Sequence, residues 1–211
     1  MTEWSSWSNE QVRAEMVRTQ AFLSEAASRI SAEGPISPAG NYCSPVGTEA
    51  ERASGKIWPG DWIDATGYLN WYFGKWWHTG ADLNLNKPAF DSDAHAPIYA
   101  IADGEAYAVR LLSGWEWIIC IRHDECLSRY AHVESIQITQ GQRVEMGQHI
   151  ANIGNAAGRY PYHLHFDIAR LGSRMDTVPG DWPSGNLAPD EARAAVKRDY
   201  FDPLEFLRGN R

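Results

Sequence analysis

The 211-residue sequence predicts a mainly β, antiparallel fold with a helix at its N-terminal end and a short helical insertion near its C-terminal end. Three observations predict it. In Trp115-Glu-Trp-Ile-Ile-Cys-Ile121, the residues Trp115, Trp117, Ile119 and Ile121 alternate onto one face, and Arg129-Tyr130-Ala131-His132 reads as a strand returning after a turn near Asp124-Glu125. Asp103-Gly104 sits between two apolar-rich runs within residues 98–109, the signal of a two-residue hairpin. Gly141, Gly147 and Gly154 then punctuate short strands around Val144 and Ile150, and residues 164–169 form the last strand.

Taken in order, the chain begins with a helix over residues 8–32. Ser8 with Gln11 matches a capping box, while Val12, Met16, Thr19, Leu23, Ala26 and Ile30 recur on one face until Gly34-Pro35 stops the helix. Pro35, Pro38, Gly40, Pro45 and Gly47 carry turn chemistry without periodicity, so the stretch to Gly55 reads as a linker. Residues 1–55 are thus expected to be an N-terminal helix and linker, and residues 56–211 the main domain. After Gly172 comes an irregular stretch with Pro179, Pro183 and Pro189, followed by a helical run over residues 190–198 and the ending Phe201-Asp-Pro-Leu-Glu-Phe-Leu207.

Composition narrows the function. Lys plus Arg number 19 against 27 Asp plus Glu, a formal net charge of -8, so the chain has no broad basic face to neutralise phosphates and nucleic acid is not expected as a partner. No run approaches the roughly 20 apolar residues of a membrane helix. Residues 1–8 lack a basic region followed by an apolar stretch, so no secretion signal is expected in them. Cys43, Cys120 and Cys126 are odd in number and lack metal-type spacing, which argues against a disulfide framework.

The chemistry concentrates in histidines. In Tyr162-His-Leu-His-Phe-Asp-Ile168, strand alternation places His163, His165 and Asp167 on one face and Leu164, Phe166 and Ile168 on the other. Two adjacent imidazoles serve packing poorly, because each needs a polar partner. His78-Thr-Gly-Ala-Asp82 reads as a turn entering a strand, from Gly80 and the alternation of Leu83-Asn84-Leu85-Asn86. Zinc accepts imidazole nitrogen and carboxylate oxygen, and catalytic sites offer three protein ligands plus an open position; His78, Asp82 and His165 fill that count. The plain alternative is that His78 and Asp82 hydrogen-bond at a turn. His132 in Tyr130-Ala-His132 and His163 then supply two imidazoles beyond the ligands, suited to taking a proton from water and steadying an oxyanion.

The order of motifs resembles that of the peptidoglycan endopeptidases that include lysostaphin and LytM. It runs through His78-x-Gly-x-Asp82, Ala96-Pro-Ile-Tyr-Ala-x-Ala-Asp-Gly104, Arg122-His123, Tyr130-Ala-His132, Gly141-x-x-Val144-x-x-Gly147-Gln148, Ile153-Gly154, His163-Leu-His-Phe166 and Asp202-Pro203. The resemblance implies an antiparallel β-sandwich of the duplicated hybrid type and a zinc endopeptidase domain over residues 56–211. It implies His78, Asp82 and His165 as Zn2+ ligands, His132 and His163 as catalytic histidines, peptidoglycan peptide as the partner, and action at the cell envelope. The chain departs from the pattern in a longer loop at residues 87–96, in bulky Arg159, Tyr160 and Tyr162 before the His-x-His, in Asp167 where Glu is commoner, and in the insertion over residues 172–200.

Other features carry plainer expectations. The aromatic run Trp58, Trp62, Tyr68, Trp71, Tyr72, Phe73, Trp76 and Trp77 is expected mainly in the core, with Trp76 and Trp77 as candidates for a groove. His95, His123 and His149 are expected to be satisfied or solvent-exposed. Asp91-Ser-Asp93 lacks the glycine and terminal glutamate of a calcium loop. The rival to an enzyme is a non-catalytic module of the same fold that binds cell wall or regulates a hydrolase.

Overall fold

The computed structural model describes residues 41–54, 56–72, 76–183 and 187–210. The helix expected over residues 8–32 lies outside the described residues, as does Phe73. Every ladder among the described strands is antiparallel. The main path of the sheet runs in the spatial order β1 (Ile63–Thr66), β4 (Ala81–Asn84), β11 (Leu164–Arg170), β8 (Cys126–Glu134), β7 (Glu116–Arg122), β6 (Gly104–Leu112) and β9 (Arg143–Val144). A branch leaves the end of β8 through β10 (His149–Ile153), which also pairs with β5 (Pro97–Tyr99), and β12 (Tyr200–Phe201) pairs with β11. A separate ribbon joins β2 (Trp71–Tyr72) to β3 (Trp76–Trp77).

The sheet has two covered faces. On β11, Leu164, Phe166 and Ile168 enter the main core with Leu83, Ile98, Ile119, Ile121, Tyr130, Ile150 and Ile153, so β5 and β10 form the layer that closes this core. Ala169 belongs to the opposite face, where it meets Leu127, Met175, Val196 and Tyr200. The alternation read from the sequence thus sorts β11 correctly, and His165 and Asp167 lie on the second face. Burying a side chain such as Phe166 contributes about 1.5–3 kcal/mol, and the face it occupies is therefore strongly specified.

The second face is roofed by helices α2 (Arg174–Thr177) and α3 (Pro189–Asp199) from the C-terminal insertion. Helix α3 has Pro at its start, where a missing N–H costs nothing, and the backbone N–H of Ala188 donates to the Glu191 carboxylate. Ala192, Ala195, Val196 and Asp199 are its buried stripe, at i, i+3, i+4 and i+7. The ending, for which the sequence predicts no particular element, forms a further helix, α4 (Pro203–Gly209), which is capped by the Asp202 carboxylate.

Three expectations differ from the structure. The hairpin at Asp103-Gly104 is not formed: β5 pairs with β10, while β6 pairs with β7 and β9. Gly104 is there for close approach, since a Cβ would meet the carbonyl oxygen of Arg122 at 2.5 Å. Trp115 lies outside β7, and Trp117 is 40% exposed while Ile118 and Cys120 are buried alongside Ile119 and Ile121. The strand is covered on both faces, so its alternation is not an inside–outside pattern. Finally, the stretch expected as linker contributes Tyr42, Cys43 and Val46 to the buried interior. Cys43 N–H donates to Ile101 O and Tyr99 N–H to Pro45 O, tying this segment along β5 before helix α1 (Glu49–Ala53) with its Thr48–Glu51 capping box.

Candidate metal centre and cleft

Asp82 and His165 are directly opposite partners in the β4–β11 ladder. Gly80 makes the close approach of these strands possible, because a Cβ there would lie 2.2 Å from the Phe166 carbonyl oxygen. His78 enters from the turn before β4, its backbone pinned by His78 N–H to Asn70 O at 2.9 Å and Leu69 N–H to His78 O at 3.0 Å. The result is a buried triangle. His78 Nε2 lies 3.1 Å from Asp82 Oδ1 and 3.1 Å from His165 Nδ1, and the last two are 3.0 Å apart. Three atoms at these separations can share one point at about 2.0–2.2 Å, the length of zinc bonds to imidazole nitrogen and carboxylate oxygen.

The proton count strengthens the fit. His78 Nδ1 faces the Gly67 carbonyl at 3.2 Å, which can only accept, so that nitrogen carries the proton. His165 Nε2 is 2.8 Å from Asp167 Oδ2 and donates to it. In the neutral rings, His78 Nε2 and His165 Nδ1 are therefore lone-pair atoms, turned toward the Asp82 carboxylate. Such a meeting is repulsive until a cation or a proton enters it. Burial raises the pKa of Asp82, but once the facing His165 and His78 rings take up a proton they can donate to it, which holds its carboxyl well below the ordinary carboxylate range. His165 shows the same demand for positive charge: burial lowers its pKa, and its bonds to Asp167 and Asp82 outweigh burial and raise it. Among the described residues, His78, Asp82 and His165 are the group of three or more His, Cys, Asp or Glu side chains placed to hold an ion.

His132 and His163 stand beside this triangle, with ring centroids 4.8 Å apart and that of His132 6.1 Å from His165. His132 is the extra residue of a bulge: Trp117 pairs with Val133 and Ile118 with Ala131, which leaves His132 unmatched, at φ 60°. That left-handed backbone turns His132 to the cleft while Tyr130 and Val133 enter the main core. Its Nδ1–H donates to the Trp115 carbonyl at 2.9 Å. Burial, and then the neighbouring His163 and His165, push its pKa down to about 3. His163 is partly exposed and donates from Nδ1 to Pro161 O at 2.9 Å.

These five residues line a cleft of about 320 Å³ together with Tyr72, Trp76, Gly114, Trp115, Tyr160 and Trp182. Of the aromatic run, Trp62 is buried in the core, Tyr72 and Trp76 line the cleft, and Trp71 is 42% exposed. Trp77 packs instead on α3, donating to Pro189 O at 2.7 Å beneath Arg193. Trp115 and Trp182 were not singled out as cleft residues in the sequence. Trp182 lies in the irregular insertion and carries no periodic signal, yet its ring is 5.5 Å from His165, 5.9 Å from His78 and 5.0 Å from Trp115.

Behind His165 is a buried polar chain that the sequence reading also left unconnected. Asp167 Oδ2 accepts from His165 Nε2, from Thr79 Oγ1 at 2.9 Å and from Arg129 Nη2 at 2.5 Å. Burial raises the pKa of Asp167, but the Arg129 charge and the His165 bond outweigh it and bring it to about 2. The remaining histidines lie elsewhere: His95 pairs with Glu134, His123 is buried between Asp103 O and Ser128 Oγ, and His149 bonds Asn152 Oδ1. The three cysteines are buried free thiols.

Comparison with known proteins adds a family. A family model described as Peptidase family M23 matches residues 78–177. The peptidoglycan DD-endopeptidase ShyB of Vibrio cholerae is 30% identical over 129 residues, which cover 60% of this chain and 30% of that protein. Lipoprotein NlpD of Yersinia enterocolitica is 35% identical over 84 residues, 39% of this chain and 86% of that one. The solution structure of lysostaphin matches with a TM-score of 0.50 at 18% identity, over 70% of this chain and 51% of that one, a likeness of fold. The aligned part spans less than a third of the DD-endopeptidase's own length.

Proposed function

The chain belongs to peptidase family M23, and from that premise we propose that it is a zinc metalloendopeptidase hydrolysing peptide cross-links of bacterial peptidoglycan, with His78, Asp82 and His165 as metal ligands and His132 and His163 as catalytic histidines. The observation that carries this reading is the meeting of three lone-pair atoms within 3.1 Å of one another, beside two further imidazoles, in one cleft. The other features of the cleft fit the same chemistry.

A zinc ion at the triangle supplies a Lewis acid for the scissile carbonyl and lowers the pKa of water toward neutrality. The remaining work falls to the protein. His132 commits its Nδ1–H to Trp115 O, so Nε2 carries the lone pair that would accept a proton. His163, nearer to solvent, is the second imidazole, able to pass a proton onward to the departing amine. Tyr72, Trp76, Trp115, Tyr160 and Trp182 offer flat, largely apolar surfaces that grip an extended peptide and displace water around the reacting bond.

The second reading is a non-catalytic module that binds cell wall or regulates a hydrolase, and the relatives divide on it by name, one an endopeptidase and one a lipoprotein. The intact donor set favours hydrolysis, because a binding module has no use for a desolvated metal site with free imidazoles beside it. Those same names favour a place of action at the cell envelope. No helix among the described residues is long and apolar enough to cross a membrane.

The test is digestion of purified peptidoglycan from several bacterial types, with mass analysis of released peptides. The zinc-loaded chain is expected to release cross-link peptides, a chelator to stop it, and His132→Ala to slow it by at least about 100-fold. Intact cross-links in every wall type, with zinc bound, would favour the regulatory module.

A further inference from the structure

Arg129 is fully buried on β8, on the face away from the main core, and is held on three sides. Its Nη2 donates to Asp167 Oδ2 at 2.5 Å, and its Nη1 donates to Pro179 O and Asp181 O, both at 2.9 Å. Its guanidinium carbon lies 4.1 Å from the centroid of the Trp115 ring. Each contact leads to the cleft by a different route. Asp167 orients His165 through the 2.8 Å bond to Nε2, which leaves Nδ1 as the donor turned to Asp82 and His78. Asp181 precedes Trp182, the ring against His165 and His78. Trp115 supplies the carbonyl that holds His132 and donates from Nε1 to Gly180 O at 3.1 Å.

We propose that Arg129 is a positioning residue that sets the metal-ligand His165 and the insertion wall carrying Trp182 as one unit, through Asp167 on one side and the carbonyls of Pro179 and Asp181 on the other. The proposal rests on the zinc site of the preceding section. A planar fork with parallel donors satisfies a carboxylate and two carbonyls at once, whereas a lysine ammonium at the same place is a point charge on a flexible stem and serves one side or the other. A carboxylate behind a ligating imidazole fixes its ring and its tautomer, and loss of such a partner lowers metal affinity about 10–100-fold. Only a residue that touches both sides couples that effect to the wall.

The experiment uses the full chain and its Arg129→Lys, Asp167→Asn and Trp182→Ala variants. Three quantities are read: the zinc dissociation constant by chelator competition, the visible spectrum of the Co2+-loaded protein, and amide hydrogen exchange over residues 173–183. Arg129→Lys is expected to weaken zinc about 10–100-fold, to alter the Co2+ spectrum, and to speed exchange over residues 173–183. Asp167→Asn is expected to reproduce the metal effects alone, and Trp182→Ala to leave zinc affinity within about threefold. Folded Arg129→Lys protein with unchanged zinc affinity, or with unchanged exchange in the insertion, overturns the proposal. Should Arg129→Lys fail to fold, Asp167→Asn decides: unchanged zinc affinity overturns the chain through Asp167, and a tenfold loss upholds it. A wild-type chain that binds no zinc contradicts the proposed function itself, a result distinct from any of these.

Discussion

His132 owes its place in the cleft to one backbone angle. Strict alternation along β8 would send it to the face of Tyr130, into the main core; φ 60° at the bulge turns it out instead. A non-glycine residue in this region is strained by about 1–2 kcal/mol. Both His132→Gly and His132→Ala should be inactive, yet the glycine variant should be about 1 kcal/mol the more stable, the reverse of the usual order in a strand. Urea denaturation of the pair checks this, and a more stable alanine variant would refute the strain. His123 carries the expected pH effect away from the proposed metal site. Burial depresses its pKa below the ordinary 6.5, so below that pH the unfolded chain takes up a proton the native state resists, and stability falls as pH drops. His123→Gln should narrow the difference in urea midpoint between pH 7 and pH 5 relative to wild type; an unchanged difference would show that His123 does not titrate in this way. Residue identities were legible in the sequence at the site, because His78, Asp82, His132, His163 and His165 sit in short motifs. The bulge was not, since nothing in Tyr130-Ala-His132 marks a positive φ.

At the scale of elements, the His78–Asp82–His165 triangle proposed to hold the metal depends on how closely β4 and β11 approach. Gly80→Ala would place a methyl group 2.2 Å from Phe166 O and 2.5 Å from Asp167 Cβ, so the strands must separate. The variant is expected to lose about 1–3 kcal/mol of stability and to weaken metal binding, measured as a lower melting temperature and a higher zinc dissociation constant. An unaltered zinc affinity in folded Gly80→Ala protein would show that the ladder spacing does not set the site. The strands themselves were readable where one face is core and the other is not, as in β11. They were misread where both faces are covered, as in β7, or where a turn-like dipeptide serves another purpose, as at Asp103-Gly104. The insertion was visible only as a run of prolines and a short helix. Its role as a cleft wall comes from Arg129 and Trp115, both of which bond its backbone across long sequence separations that no local pattern records.

At the largest scale, among the described residues, the main sheet separates two regions. Its inner face holds the apolar core closed by β5 and β10, and its outer face holds the histidines beneath the insertion. The placement explains how the single strand β11 sends Phe166 into the core and His165 into the cleft without conflict. Segments 41–54 and 56–62 add buried residues to the inner face, a contribution hidden in the sequence by Pro45 and Gly47, which mark turns but do not prevent their neighbours from packing. The most direct measurement on the whole molecule is zinc stoichiometry after dialysis, taken side by side on the wild type and on five alanine variants. Wild type, His132→Ala and His163→Ala should each retain one equivalent, while His78→Ala, Asp82→Ala and His165→Ala should lose it. Full retention by the Asp82 or His165 variant, or equal loss across all five, would contradict the assignment of the triangle as the metal centre.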